Sequence, residues 1–596
     1  MREEGARARW RAWRADPLLV VGVVLIALQT AVRAVVVLRS YFWQDDYFHL
    51  SMYARLGASR EFLVREHNGH LEIGPNLVYA LLGRDPGVSF LPAALLLLAL
   101  QLTASCLLLA LLRQLFGRSP WLLVPFVVYL FTPLALTVAT WLAAGLEALP
   151  LQIAMLTALL GGVRAYRSGS WRWAAVSAAG TATGLLFWEK AVLVLPALVA
   201  VLVLVEEAGT PWRRSLANVA RSWPLLLPHA LLIAAYLPFY LSVVGSSTLD
   251  PDLSTVVPTT AETVFSMLVP GLFGGPWTSE GAANTVAADP GTALAVVFAV
   301  LALAVVLVSI RLRGARAAKA WLLVVGYLAV DVAMVQLTRA ATLDIGARDP
   351  RYITDALPVI AIGVCAAFSG PRRAPATEPR TARRALVPVA VGATLIASCL
   401  LTTSLVVGEL QHERTRNYVD NVLQTMAEDP NLSVVSNTPP GEVTLFVAFD
   451  LEDTLGALGQ DLPFDRPGTA MGMFDGEGVL RPVTLLEPIM QASGPDPGCG
   501  WALPAGDQAL GDVPIWYGLQ VLRFEYESPV QVTLHVAVGE DRQDLTVPAG
   551  SGQAMFVVTG QQGPATVRAS GAPAGSVCVD DVVVGTPWPE GLTVSS

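Results

Sequence analysis

Eleven long apolar runs between residues 18 and 408 leave this chain little choice of solvent. They cover 18–40, 89–112, 121–141, 146–163, 173–188, 191–205, 224–244, 291–310, 320–338, 353–369 and 385–408. Runs of about 18 or more apolar residues match the thickness of a bilayer core, so each reads as a membrane helix. The pair at 173–205 is divided at Trp188-Glu189-Lys190, because two charges in mid-span are costly. The whole chain is 54% hydrophobic and 15% charged, with mean hydropathy +0.54, which excludes an ordinary water-soluble protein.

Charge placement orients the helices. The segments 1–17, 113–119, 164–172, 206–223, 311–319 and 370–384 hold 22 of the 39 Lys and Arg residues. Positive charge stays on the cytoplasmic side, so the N-terminus is expected inside and the C-terminal part outside. No small-residue cleavage site follows the first run, so it is expected to be a retained anchor. A multi-pass protein of a bacterial plasma membrane is the expected location, since 37 Arg against two Lys suits a GC-rich genome.

Four regions follow: a cytoplasmic N-terminus (1–17), a transmembrane domain (18–408) with a first outer loop at 41–88, a helical stalk (409–429) and an outer domain (430–596). Residues 409–596 carry 25 acidic and 7 basic side chains, which leaves the rest of the chain net positive. From about 430, short alternating runs separated by Gly, Pro and Asp predict an antiparallel β-sandwich. They include Val443–Phe449, Trp516–Tyr526, Val530–Val538, Gln543–Val547, Ala554–Val558, Ala565–Ala569 and Val577–Val584. Cys499 and Cys578 lie in this outer domain and are expected to form a disulfide. Cys106, Cys365 and Cys399 fall inside apolar runs and read as small buried hydrophobes. The basic clusters are short loops between helices, so nucleic acid is not an expected partner.

The chemistry-bearing residues gather at one end of the helices. Immediately after the first run comes Phe42-Trp43-Gln44-Asp45-Asp46-Tyr47-Phe48-His49. Asp is a favoured helix cap, which accounts for one carboxylate, and Arg39 or Arg55 offers an ion pair. A positioned carboxylate also serves as a general base toward an acceptor hydroxyl. From Tyr47 to Arg65 the pattern suits a helix lying along the membrane surface. His67 and His70 follow in an irregular segment, where exposed loop histidines and a zinc site lacking a third ligand are the other readings. Glu147, Glu189 and Lys190 sit at short outer turns, with an ion pair as the plain alternative for the last two. Arg348, Arg351 and Tyr352 precede a late helix, where the arginines could pair with Asp344, Asp349 or lipid headgroups. Trp43, Trp141, Trp188 and Trp277 suit interfacial anchors.

The acidic pair after the first membrane helix, followed by His49, resembles that of GT-C-type glycosyltransferases. These include protein O-mannosyltransferases, lipid A aminoarabinose transferases and mycobacterial wall arabinosyltransferases. The resemblance covers the organisation of residues 1–370 and matches only a few residues in sequence; the His67–Pro75 stretch departs from the His-Pro-Pro pattern of O-mannosyltransferases. It implies a GT-C-like fold, a polyprenyl-phosphate sugar as donor, and a glycan or lipid-linked acceptor among the membrane lipids. It further implies Asp45 as base with Asp46 as partner, and Arg351, helped by Arg348 and Lys190, on the donor phosphate. His49, His67, His70, Glu147, Glu189 and Tyr352 become substrate-contact candidates. No cofactor is demanded, although a divalent cation would suit the acids. The expected activity is therefore inverting sugar transfer to cell-envelope acceptors outside the membrane, with a carbohydrate-binding role open to the outer domain. The rivals are a flippase or transporter of lipid-linked glycans and a non-catalytic protein that binds envelope glycans.

Overall fold

A computed structural model describes residues 16–205, 211–245, 253–275, 288, 290–338, 348–369, 383–444, 449–515 and 518–592. The expectations placed on 1–15, Trp277, Asp344, the basic loop 370–382 and residues 445–448 lie outside them. The chain divides into two compact units, one of Met1–Asp85 with Ser89–Glu413 and one of Pro86–Val88 with Arg414–Ser596.

The first unit is helical. All eleven expected runs contain helix, but eight helices are long and apolar enough to cross a membrane: Pro17–Val37, Leu91–Phe116, Leu142–Ser168, Trp223–Val244, Gly291–Arg313, Ala315–Gln336, Pro350–Phe368 and Leu386–Val406. A ninth is reached if Pro120–Phe131 and Pro133–Thr140, bent by 43° at their junction, count as one span. Trp171–Phe187 has 17 residues and Val194–Val205 has 12, so these two fall short of the expected spanning length. By length and composition, eight or nine of the eleven expected spans qualify among the described residues. Sequence hydropathy sees only how apolar a run is, whereas the bend before Pro133 divides one expected run and the helix after Lys190 starts only at Val194.

Small residues let two of these helices approach closely. A Cβ on Gly180 of Trp171–Phe187 would stand 2.7 Å from the carbonyl oxygen of Ala154. A Cβ on Gly161 would stand 2.9 Å from the backbone nitrogen of Ser177. Without a hydrophobic drive inside lipid, such backbone proximity is what membrane helices use to pack.

The loop after the first helix is not laid flat on a membrane. Its helix Asp45–Leu56 buries every residue from Asp46 to Met52. The surface-helix expectation fails because both faces of this segment find protein. A two-stranded ribbon, Glu66–His67 with His70–Leu71, turns through Asn68 and Gly69 into the helix Ile73–Leu82. Gly69 has φ +83°, in the region where a side chain would be strained.

The second unit takes in the helix Glu413–Glu428 from Arg414 onward, together with the strands. Two antiparallel sheets follow. One orders Gly550–Val557, Val521–Ser528, Cys578–Pro589, Leu480–Ala492 and Gly472–Phe474. The other orders Gln508–Val513, Gly563–Ser570, Val532–Val538 and Asp541–Val547. Leu522, Phe524 and Phe556 of the first sheet share a core with Leu534, Val536 and Val567 of the second, which makes a sandwich. Alternation is plain in Val532–Val538, whose even-numbered residues are buried and whose odd-numbered ones are half-exposed. Strand Leu480–Ala492 shows no such alternation and escaped the sequence reading. The Sγ atoms of Cys499 and Cys578 are 2.07 Å apart, a disulfide.

On the outer face of the four-stranded sheet, three neighbouring strands carry a polar chain. His535 Nδ1 lies 2.7 Å from Asp544 Oδ1, and its Nε2 lies 2.8 Å from Ser570 Oγ. The Asp544 side chain is 66% exposed, so this is a cross-strand ladder on an open surface.

Candidate functional site

The two carboxylates of the Asp45-Asp46 pair have different surroundings. Successive helical residues point about 100° apart, so the first turn of Asp45–Leu56 sends them to different places. Asp46 is fully buried and accepts three hydrogen bonds: the Tyr79 hydroxyl at 2.6 Å, the Trp43 N–H at 2.9 Å and the Ala143 N–H at 2.9 Å. The Trp43 bond reaches back across the helix start and satisfies an N–H there, while the formal cap residue, Gln44, makes no side-chain cap bond. Neither carboxylate is the N-cap foreseen as the plain reading, since Gln44 holds that position; Asp46 instead ties the segment before the helix to the helix Leu142–Ser168. Burial pushes its carboxyl up to about 7, against the three hydrogen bonds that pull the other way.

Asp45 keeps some access, with 18% of its side chain exposed. Its Oδ1 lies 3.5 Å from His67 Nε2. Burial works to raise this carboxyl, but the His67 hydrogen bond and the charges of His67 and Arg351 outweigh it and hold the group below its usual range. An ionised carboxylate with an open side is what a general base requires. The preceding Gln44 has φ +40° and ψ −100°, outside the usual allowed regions. Strain of this kind costs about 1–3 kcal/mol and persists where surrounding contacts over-determine the backbone.

His49 is turned inward, 2% exposed, and its environment fixes its proton. Asn76 Nδ2 donates to the Phe62 carbonyl, so Asn76 Oδ1 is left to accept from His49 Nδ1–H at 3.0 Å. His49 Nε2 is then the acceptor, and it faces Glu72 Oε2 at 3.2 Å. Burial brings His49 down to about 3, so the ring is neutral. Burial and the Glu147 carboxylate push Glu72 well above its usual range, which leaves it a proton to donate. The ring of His49 stacks on Tyr79 with centroids 4.6 Å apart, linking this chain to Asp46. His49, expected as a substrate contact, is therefore a buried support of the loop.

Arg351 is the cation beside Asp45. Its guanidinium lies 4.5 Å from the Trp141 ring centroid and 4.6 Å from that of Tyr352. Its Nε stands 2.9 Å from Asp349 Oδ2, and its Nη2 donates to the Tyr352 hydroxyl at 2.7 Å. Trp141 packs edge-on against Trp43 at 4.5 Å, and Trp43 stacks on His412 at 4.5 Å. The rigid fork of an arginine held this way is preset for a planar or tetrahedral oxyanion. Trp43, Trp141 and Trp188 are each 3% exposed or less. Their expected role as interfacial anchors is corrected: they are the walls of the unit's interior.

The remaining candidates separate into groups. Lys190, buried, places Nζ 2.6 Å from Asp331 Oδ1, 3.1 Å from Asp355 Oδ1 and 2.6 Å from the Tyr352 carbonyl. Its charge is engaged by two carboxylates, so the expectation that it meets a phosphate gives way to an ion pair between helices. Glu189 instead meets His70, with Nδ1 to Oε1 at 2.9 Å. Glu189 and Lys190 thus serve different partners. His70, Trp188, Glu189, Lys190 and Tyr352 line one small cavity together with Met334 and Val335. Arg348 pairs with Glu262 at 3.3 Å and is partly exposed. Glu147 stands against Glu72 and within the field of Arg351. Among the described residues no group of three or more His, Cys, Asp or Glu is arranged to hold a metal ion.

The structure brings Asp45, His67 and Arg351, each singled out from the sequence, into one neighbourhood, while Tyr79, Asn76 and Glu72 escaped the sequence reading. The first two are neutral residues on a short apolar helix, about thirty positions from their partners, and carry no local pattern. Glu72 was visible as an acid between His70 and Pro75 and could have been weighed.

What fold and site define is a multi-pass membrane protein with an ionised carboxylate and a stacked arginine at one end of its helices. No family model matches the chain, and no curated protein matches it. Among solved structures, a cryo-EM structure of the arabinosyltransferase EmbB from Mycobacterium smegmatis matches 95% of this chain with 11% identity and a TM-score of 0.34. The match spans 64% of that protein's chain. A likeness of that order leaves the assignment of function to the site itself.

Proposed function

We propose that this chain is an integral membrane glycosyltransferase of the GT-C type, moving a sugar from a polyprenyl-phosphate donor to an envelope glycan or lipid-linked acceptor. The observation that carries the reading is the split of the acidic pair: Asp46 is consumed by internal hydrogen bonds, while Asp45 stays ionised, partly open and close to Arg351. Asp45 takes the proton of the acceptor hydroxyl as its oxygen attacks the anomeric carbon. The bond from that carbon to the phosphate oxygen breaks, and the electron pair leaves with the polyprenyl phosphate. Arg351 stabilises the growing phosphate charge, oriented by Asp349 and the Trp141 and Tyr352 rings. One displacement inverts the anomeric centre. His67 holds Asp45 in place, and His70, on a small cavity with Trp188 and Tyr352, is the candidate sugar contact. The β-sandwich would bind glycan or act as a packing module.

The test is sugar transfer by the purified full chain, using a panel of polyprenyl-phosphate sugars. Asp45→Asn is expected to lose about 10²–10⁴-fold in rate, the usual worth of general base catalysis, with its melting temperature little changed. Full transfer by Asp45→Asn would overturn the assignment. Lipid translocation with no turnover on any donor would support a flippase instead.

A further inference from the structure

The first membrane helix carries a second cluster of polar groups that the proposed reaction does not use. Gln29 and Arg33 stand one turn apart on Pro17–Val37 and so share a face. They are 1% and 4% exposed. Arg33 Nη2 donates to the Thr132 carbonyl at 3.2 Å, but among the described residues its Nη1 meets no acceptor and neither polar atom of Gln29 has a partner. Both side chains line a small cavity with Val32, Val36, Phe131, Leu400 and Thr403. Thr403 gives its hydroxyl proton to the Cys399 carbonyl and so offers no donor. Among the described residues no Asp or Glu forms an ion pair with Arg33.

A buried cation and a buried amide with unmet donors, inside an apolar helix layer, call for a ligand. Water would answer the hydrogen bonds and leave the charge. The ligand must therefore be anionic and bring oxygen acceptors. Arg33 lies four residues before Val37, about 6 Å of helix from its end. That depth is within reach of the headgroup layer on the side of the membrane that bears Asp45. The neighbouring surfaces are apolar and open, with Val35 61% and Leu401 63% exposed, so an acyl chain has somewhere to lie.

We infer that Gln29 and Arg33 form a site for a phosphate oxyanion, supplied by the headgroup of a membrane lipid that wedges between the helices Pro17–Val37 and Arg383–Val406. Arg33 Nη1 and Gln29 Nε2 would donate to the phosphate oxygens. The site is separate from Asp45 and does not depend on the proposed reaction.

The test uses the full chain in dodecyl maltoside micelles, which contain no phosphate. Thermal melting is followed with added phosphatidylglycerol, with inorganic phosphate and with a phosphate-free diacyl glycolipid. The expected result is a rise of a few degrees with phosphatidylglycerol that grows with the logarithm of its concentration, and no rise with the glycolipid. A matching rise with inorganic phosphate would retain the oxyanion site and name the free ion as its source. Arg33→Gln and Gln29→Leu should each abolish or at least halve the response. Where Arg33→Gln does not fold, Gln29→Leu decides alone. An equal rise with the glycolipid, no rise with either phosphate source, or an undiminished response in the folded variants would overturn the site.

Discussion

Two histidines in this molecule sit in the same kind of polar chain and differ in almost everything that follows. His49, in the loop after the first helix, lies between Asn76 and Glu72 and is 2% exposed. His535, on the open face of the β-sandwich, lies between Asp544 and Ser570, and its side chain is 29% exposed. Bond lengths alone would rank His535 as the better placed. Burial reverses the ranking, because a polar group removed from water depends on its protein partners, whereas an exposed one can exchange them for solvent. The helical unit therefore stakes its loop on these contacts, and the sheet does not.

Four measurements would break or sharpen that contrast. The largest effect is expected at Lys190, held by Asp331 and Asp355. Lys190→Met leaves two buried carboxylates facing each other and should destabilise the helical unit by about 3–5 kcal/mol, read as a lower melting temperature in detergent. A variant that melts like the wild type would show that these acids hold a proton and need no cation.

Next comes Asp46→Asn, which keeps the shape but turns an amide N–H toward donors. It should cost about 1–3 kcal/mol, the penalty of leaving buried donors without an acceptor. It should also alter pH dependence. The folded state holds the Asp46 proton up to about 7, and the ordinary value is 3.8. Stability from this group is therefore lost as pH rises from about 4 to about 7, and Asp46→Asn should flatten that part of the curve.

His49 predicts the opposite slope. Its folded value of about 3 lies below the ordinary 6.5, so its contribution is present above about 6.5 and is lost as pH falls toward 3. Melting curves of His49→Gln should lose that acid limb. The smallest effect belongs to His535→Ala, expected to change sandwich stability by about 1 kcal/mol or less, since exposed pairs contribute little. A loss as large as that of Asp46→Asn would show that this exposed ladder holds its sheet as firmly as the buried contacts hold the loop, and would break the contrast.

The helices were legible because apolarity over many residues is a one-dimensional property of sequence. Their number was less so: the break at Trp188 was legible from its two charges, but the bend between Pro120–Phe131 and Pro133–Thr140 leaves no mark in hydropathy. The alternating strands were legible on the same grounds, and Leu480–Ala492 was hidden by its lack of alternation. Within the site, the acidic pair announced itself, but which member faces inward depends on helix phase and on Tyr79 and Ala143, far along the chain. Lys190 looked free for a ligand because its partners, Asp331 and Asp355, come from helices more than 140 residues away. Arg33 and Gln29 lay in plain view inside an apolar run, where averaging concealed them.

The start of the helix Asp45–Leu56 also sets how this loop can change over generations of sequence. Asp46 is locked by donors on three sides, and the strained Gln44 fixes where the first turn begins. A one-residue insertion between Asp45 and Asp46 would turn Asp45 by about 100° around the helix relative to the anchored Asp46 and carry the open carboxylate away from His67 and Arg351. Substitution can therefore tune the neighbours of Asp45, but the adjacency of the two carboxylates is what keeps one of them locked and the other open.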